Sequence, residues 1–154
     1  MKRISIFLCL VLLVGCFVPS EDIVTPDNPV PVIKIEFGFD STVPQAMRGH
    51  RKEALRLAAV ADEYARQLKY DGTLDKPAIS TTTGVQQTFK SVLSHMYQGK
   101  PAVTKKAATI LNDVLEKELQ PDGKGHDLTP ELRDKAVRIF RSYAAALRET
   151  KSES

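Results

Sequence analysis

Cysteine is nearly absent from this chain of 154 residues: there are two, Cys9 and Cys16, both near the N-terminal end. Nothing from residue 17 onward can therefore form a disulfide, act as a thiol nucleophile or ligate zinc through sulfur. Stability there must come from a hydrophobic core. An excess of one charge is also lacking. The chain has 22 basic and 19 acidic residues. No Lys/Arg run is dense enough to track a phosphate backbone, and nucleic-acid binding is rejected on that ground. Histidine is limited to His50, His95 and His126, in separate segments. None has Glu three residues before it, as di-iron bundles require. Neither His-Glu-x-x-His nor Gly-x-Ser-x-Gly occurs.

Long apolar runs are missing too, with one short exception. Ile4 to Val14 is apolar but for Ser5 and Cys9, follows Lys2 and Arg3, and leads into Leu13-Val14-Gly15-Cys16. About eleven residues are too few for a membrane span, which needs roughly 20, so the run reads as the apolar region of an export signal. The order Leu, β-branched, small, Cys resembles the lipobox of bacterial lipoproteins, which a dedicated peptidase cuts before the cysteine. The resemblance covers about a tenth of the chain. It implies that Cys16 becomes the first residue, with a diacylglycerol on its sulfur and often an acyl group on its amine. Two or more acyl chains give stable anchoring, at about 0.8 kcal/mol per buried methylene. The implied partners are a lipid membrane, through acylated Cys16, and an envelope protein. Lipoproteins held at an inner membrane often carry Asp after the cysteine. Phe17 stands there, which implies the outer membrane in a two-membraned host. An ordinary cleaved signal and a retained anchor are the competing readings.

Removal of residues 1–15 leaves about 139 residues, enough for one domain with a modest core. Lys2 and Arg3 leave with the signal and all acidic residues remain, so the formal net charge falls to +1. Residues 16–31 read as the lipidated cysteine and a tether, with Pro19, Pro26, Pro29 and Pro31 among polar residues. A polyproline II rise of about 3.1 Å per residue gives it a reach of roughly 45 Å. Next, Ile33, Ile35, Phe37 and Phe39 alternate with Lys34, Glu36 and Gly38. Period two with β-branched and aromatic residues is a strand signal, yet no second run exists to pair with it. Three readings stay open for residues 32–43: an extended strap laid over helices, a strand that completes another protein's sheet edge, or a short hairpin with the tether.

Residues 44–149 read as helical. Pro44 begins a short turn. Ala54, Leu57, Ala61, Tyr64 and Leu68 form one apolar stripe near His50 to Tyr70. Val85, Phe89, Val92 and Met96 form another near Gly84 to Gln98, with Thr83 and Gln86 at capping-box spacing. A third helix is predicted over Ala102 to Gln120. A fourth starts at Thr129-Pro130-Glu131, where Thr caps, Pro suits the first position and Glu favours the positive dipole end. Ala58, Ala59, Ala61 and Ala65, with Ala144 to Ala146, let the first and fourth helices approach closely. The expected fold is all-α: a small bundle of about four helices behind an extended N-terminal strap, with residues 150–154 a frayed tail.

Each segment that suggests chemistry has a plainer reading. Asp122 to Asp127 looks like a metal loop, but the third and fifth positions are Lys124 and His126 where calcium needs oxygen ligands. It reads as a flexible helix connection. Ser80 to Gly84 precedes a helix N-terminus and could hold an anion, yet lacks the Gly-Lys-Ser/Thr of a phosphate loop. N-capping accounts for its hydroxyls. Asp113, Glu116, Glu118, Glu131 and Asp134 alternate with Lys117, Arg133 and Lys135, the pattern of a solvated face. No catalytic residue, metal ligand or cofactor is expected. The candidate site residues are Cys16 for lipidation and Ile33, Ile35, Phe37 and Phe39 for a partner-binding strand. The expected role is membrane-anchored, non-enzymatic binding or scaffolding. The alternatives are an envelope hydrolase using dispersed carboxylates and a small-ligand or metal-binding lipoprotein.

Overall fold

A computed structural model describes residues 33–70, 79–96 and 102–152. The export signal, Cys16 and the tether lie outside the described residues. Five helices are described: α1 Phe39–Ala46, α2 Arg51–Lys69, α3 Thr82–Met96, α4 Ala102–Leu119 and α5 Pro130–Arg148. The all-α bundle expected from the apolar stripes is what forms, with one helix more than anticipated.

The helices α2 and α5 make the central antiparallel pair. At one end Arg51 Nη1 donates to the Thr150 carbonyl at 2.6 Å, and at the other Arg133 Nη1 donates to the Leu68 carbonyl at 3.1 Å. Small side chains let the two backbones close on each other. Ala54, Ala58, Ala61 and Ala65 of α2 and Ala136, Ala144 and Ala146 of α5 are all fully buried. Ala59 is not among them. One position from Ala58 is about 100° around the helix, which turns Ala59 to the surface. The helix α5 starts as its sequence dictates, with Thr129 Oγ1 accepting from Leu132 N at 3.3 Å and Pro130 in the first turn. Above the seam, Tyr64, Phe89 and Phe140 form an aromatic triangle with ring centroids 4.8–5.2 Å apart. Such tilted contacts add to the area the rings bury. On α4, Ala107, Leu111, Leu115 and Leu119 face inward and are buried.

The structure corrects the N-terminal reading. Residues 39–46 are helical, because Phe39, Val43 and Met47 recur every four residues and are all fully buried. Phe37 and Gly38 have φ of 60° and 74°, and Phe39 N donates to the Glu36 carbonyl at 3.3 Å. Positive φ at both central residues is the pattern of a type I′ turn. This turn ends the strap at Gly38 and redirects the chain into α1. Of the open readings for this segment, the strap fits: Ile35 and Phe37 pack on the core. Glu36 N donates to Ser142 Oγ at 2.6 Å, and that hydroxyl donates to the Glu36 carbonyl at 3.1 Å.

Two further boundaries differ. The cap of α3 is Thr81 rather than Thr83: its Oγ1 accepts from Gly84 N at 3.0 Å. Gln86 is buried and accepts from Gln120 Nε2 at 3.2 Å instead of reaching back to a cap. The cause is the loop after α4. An isolated antiparallel bridge joins Thr81 to Asp127, with Thr82 N on the His126 carbonyl at 2.9 Å and Leu128 N on the Ser80 carbonyl at 2.7 Å. That clamp holds the chain entering α3 and lets the helix begin earlier. At the other end Thr150, expected to fray, is fully buried and held by Arg51.

Candidate functional site

The described surface carries an apolar groove between α2 and α3. The first half of α3 is fixed to α2 by Tyr64, whose hydroxyl donates to the Val85 carbonyl at 2.8 Å and whose ring meets Phe89. Burial pushes the Tyr64 phenol above its usual pKa, only partly opposed by Thr88, so the phenol stays a neutral donor. Beyond Phe89 the described residues cover the α3 stripe only in part. Val92 is half-buried and Met96 is 39% exposed. Together with Ala59, Val60, Tyr64, Glu63 and Gln67 they line a groove of about 340 Å³. Leu55, 42% exposed and one turn before Ala59, extends the apolar surface. The polar members are engaged elsewhere: Glu63 accepts from Arg66 Nε at 2.8 Å, Arg66 Nη2 at 2.7 Å and Gln67 Nε2 at 3.0 Å. Chemically, the groove offers apolar area to a guest.

The residues singled out from sequence fall elsewhere. Cys16 lies outside the described residues. Ile33 is 44% exposed, Ile35 and Phe37 are half-buried, and Phe39 is fully buried on α1. These four do not form one strand edge, because the turn at Phe37-Gly38 breaks the alternation before Phe39. The histidines stay apart in chain and role. His50 is the N-terminal flank of α2, His95 Nδ1 lies 2.8 Å from the Ser91 carbonyl within α3, and His126 Nε2 lies 2.7 Å from Asp122 Oδ1 in the loop after α4. Among the described residues, no group of three or more His, Cys, Asp or Glu is placed to hold a metal ion.

The loop expected to be a plain connection is an ordered one. The hydrogen bond from His126, then that from Lys124 N, holds the Asp122 carboxyl below the usual carboxylate range. Three of the α3 amides at the expected anion position are engaged internally: Thr82 N with the His126 carbonyl, Gly84 N with Thr81 Oγ1, and Val85 N with the Thr81 carbonyl. Of the alternating carboxylates, Glu118 pairs with Lys135 Nζ at 2.7 Å, while Asp113, Glu116, Glu131 and Asp134 are exposed. Glu131 is held below its ordinary pKa by its own backbone N–H and the Thr129 hydroxyl, as befits a carboxylate at a helix start.

Sequence reasoning missed the groove because it assigned the whole Val85-Phe89-Val92-Met96 stripe to the interior. The available signal was Leu55 and Ala59, apolar residues off the α2 stripe. Fold and site together define a class, an all-α helical bundle with an N-terminal strap and, among the described residues, an open apolar groove between α2 and α3. Comparison with protein-family models, with curated proteins and with solved structures gives no match.

Proposed function

We propose that this protein is a lipid-anchored, non-enzymatic binding or scaffolding module of the bacterial cell envelope. The observation that carries the reading is Leu13-Val14-Gly15-Cys16 behind a basic start and a short apolar run. No helix among the described residues is long and apolar enough to cross a membrane. In this reading the acyl chains on Cys16 do the anchoring, and the proline-bearing tether sets how far the domain ranges. Phe17 after the cysteine favours the outer membrane of a two-membraned host. The groove supports a binding role, since contiguous exposed apolar surface commonly marks an interaction site.

The test is Cys16→Ala. The wild-type protein should incorporate labelled palmitate and sediment with membranes, and the variant should do neither. A variant that keeps both label and membrane fraction refutes the anchor. Crosslinking in intact cells, followed by purification and mass spectrometry of both forms, tests the module. One dominant partner that disappears with the anchor supports an envelope adaptor, whereas no enriched partner in either form removes the binding role.

A further inference from the structure

We propose that residues 33–38 are a releasable latch, which opens as a unit while α1 to α5 stay folded. This goes beyond the anchoring proposal and does not depend on it. Three observations carry it. Among the described residues, the hydrogen bonds that tie the strap to α5 run through one group, the Ser142 hydroxyl, which accepts from Glu36 N at 2.6 Å and donates to the Glu36 carbonyl at 3.1 Å. Its apolar hold is partial, because Ile33 is 44% exposed and Ile35 and Phe37 are only half-buried, whereas Phe39, Val43 and Met47 just beyond are fully buried. The junction between the two is strained. Phe37 has φ of 60°, in a turn position that normally takes Asn, Asp or Gly. A bulky side chain resists the left-handed region, so closure holds Phe37 against its preference and release relieves it.

The physical outcome is a hinge at Phe37-Gly38 with a weak side and a strong side. Opening costs that hydroxyl's pair of hydrogen bonds, the turn bond from Phe39 N to the Glu36 carbonyl, and the contacts of two half-buried side chains. It leaves the α1 stripe seated. Opening also frees the backbone N–H and carbonyl of Glu36, beside the Ile33, Ile35, Phe37 alternation. Local opening of such a segment, below the free energy of global unfolding, is expected where buried contacts are few.

Residue-resolved amide hydrogen exchange on the full chain tests this. The Glu36 amide should exchange at least about 100-fold faster than the Phe140 amide inside α5, with a shallower dependence on urea, as sub-global opening requires. Ser142→Ala should accelerate Glu36 exchange about tenfold further and leave Phe140 unchanged, since a hydrogen bond contributes a factor of that order. Ser142→Thr, which keeps the hydroxyl, should stay near the wild-type ratio. If Glu36 and Phe140 exchange at the same rate and the same urea slope in the wild type, the latch does not exist. Equal acceleration of both amides by Ser142→Ala would overturn it too. The wild-type comparison stands even if a variant does not fold.

Discussion

The α2–α5 seam and the α3 helix are built from similar amphipathic stripes, yet the molecule treats them differently. Along the seam, alanines on both helices are fully buried, and each end is tied by an arginine to a carbonyl of the opposite chain segment. On α3 burial stops at Phe89, and polar bonds do much of the fastening: Tyr64 to the Val85 carbonyl, Gln120 to Gln86, and the His126 amide to Thr82 Oγ1 at 3.0 Å. A stripe specifies which face a helix can bury. Whether a neighbour covers all of that face is decided by where the other helices lie. The seam therefore holds the stability, and the half-covered α3 supplies the surface open to a guest.

The sharpest way to break this contrast is a pair of truncations. Phe140→Ala removes the α5 corner of the aromatic triangle, and a fully buried Phe to Ala change costs about 3–5 kcal/mol. Met96→Ala, at the open end of α3, should change stability by no more than about 0.5 kcal/mol. Urea denaturation of both variants checks the order, and a Met96 cost approaching that of Phe140 would mean the groove is packed. A smaller effect probes the join between the two regions. Arg133 donates Nη1 to the Leu68 carbonyl and Nη2 to the Ile79 carbonyl at 3.0 Å, tying the end of α2 to the chain that enters α3. Arg133→Met should cost about 2 kcal/mol, given what charged hydrogen bonds contribute net. Arg133→Lys should not restore it, because one ammonium cannot reproduce the two-pronged geometry of the guanidinium.

These contrasts also show which parts of the fold were legible from sequence. Four helices, and the inward face of α2, followed from residues at three- and four-step spacing, and the α5 start followed from Thr129, Pro130 and Glu131. Local chemistry dictated those features. The helix α1 was hidden because Phe39 closes an alternating run and also opens the Phe39, Val43, Met47 stripe. The positive φ values that separate the two uses fall at Phe37, where residue type gives no warning, as well as at Gly38. The α3 cap was misplaced for a non-local reason. Three threonines in a row, Thr81 to Thr83, are equivalent as caps, and the bridge to Asp127 chooses among them. Thr150 likewise looks like a tail residue until Arg51, 99 positions away in the chain, is seen to hold its carbonyl. For the candidate site, sequence named Ala59, Tyr64, Val92 and Met96 but not Leu55 or Val60, and could not show that the described residues leave Val92 half-buried and Met96 exposed.

The smallest effect separates the two regions by pH. Glu131 sits in the first turn of α5, where its own backbone N–H and the Thr129 hydroxyl hold its carboxyl below the ordinary glutamate value of 4.5. A carboxyl with a folded-state pKa below its unfolded one stabilises the fold above the unfolded value. That contribution is lost as pH falls through the folded value. Glu131→Gln should therefore lower the melting temperature slightly at pH 6 to 7, and the gap to wild type should close progressively from about pH 4.5 downward. Thermal melts of both forms across that range check the sign. Met96→Ala introduces no titrating group and should hold a constant offset from wild type over the same range. A gap for Glu131→Gln that persists at low pH would mean the side chain orders the start of the seam helix through something other than its charge.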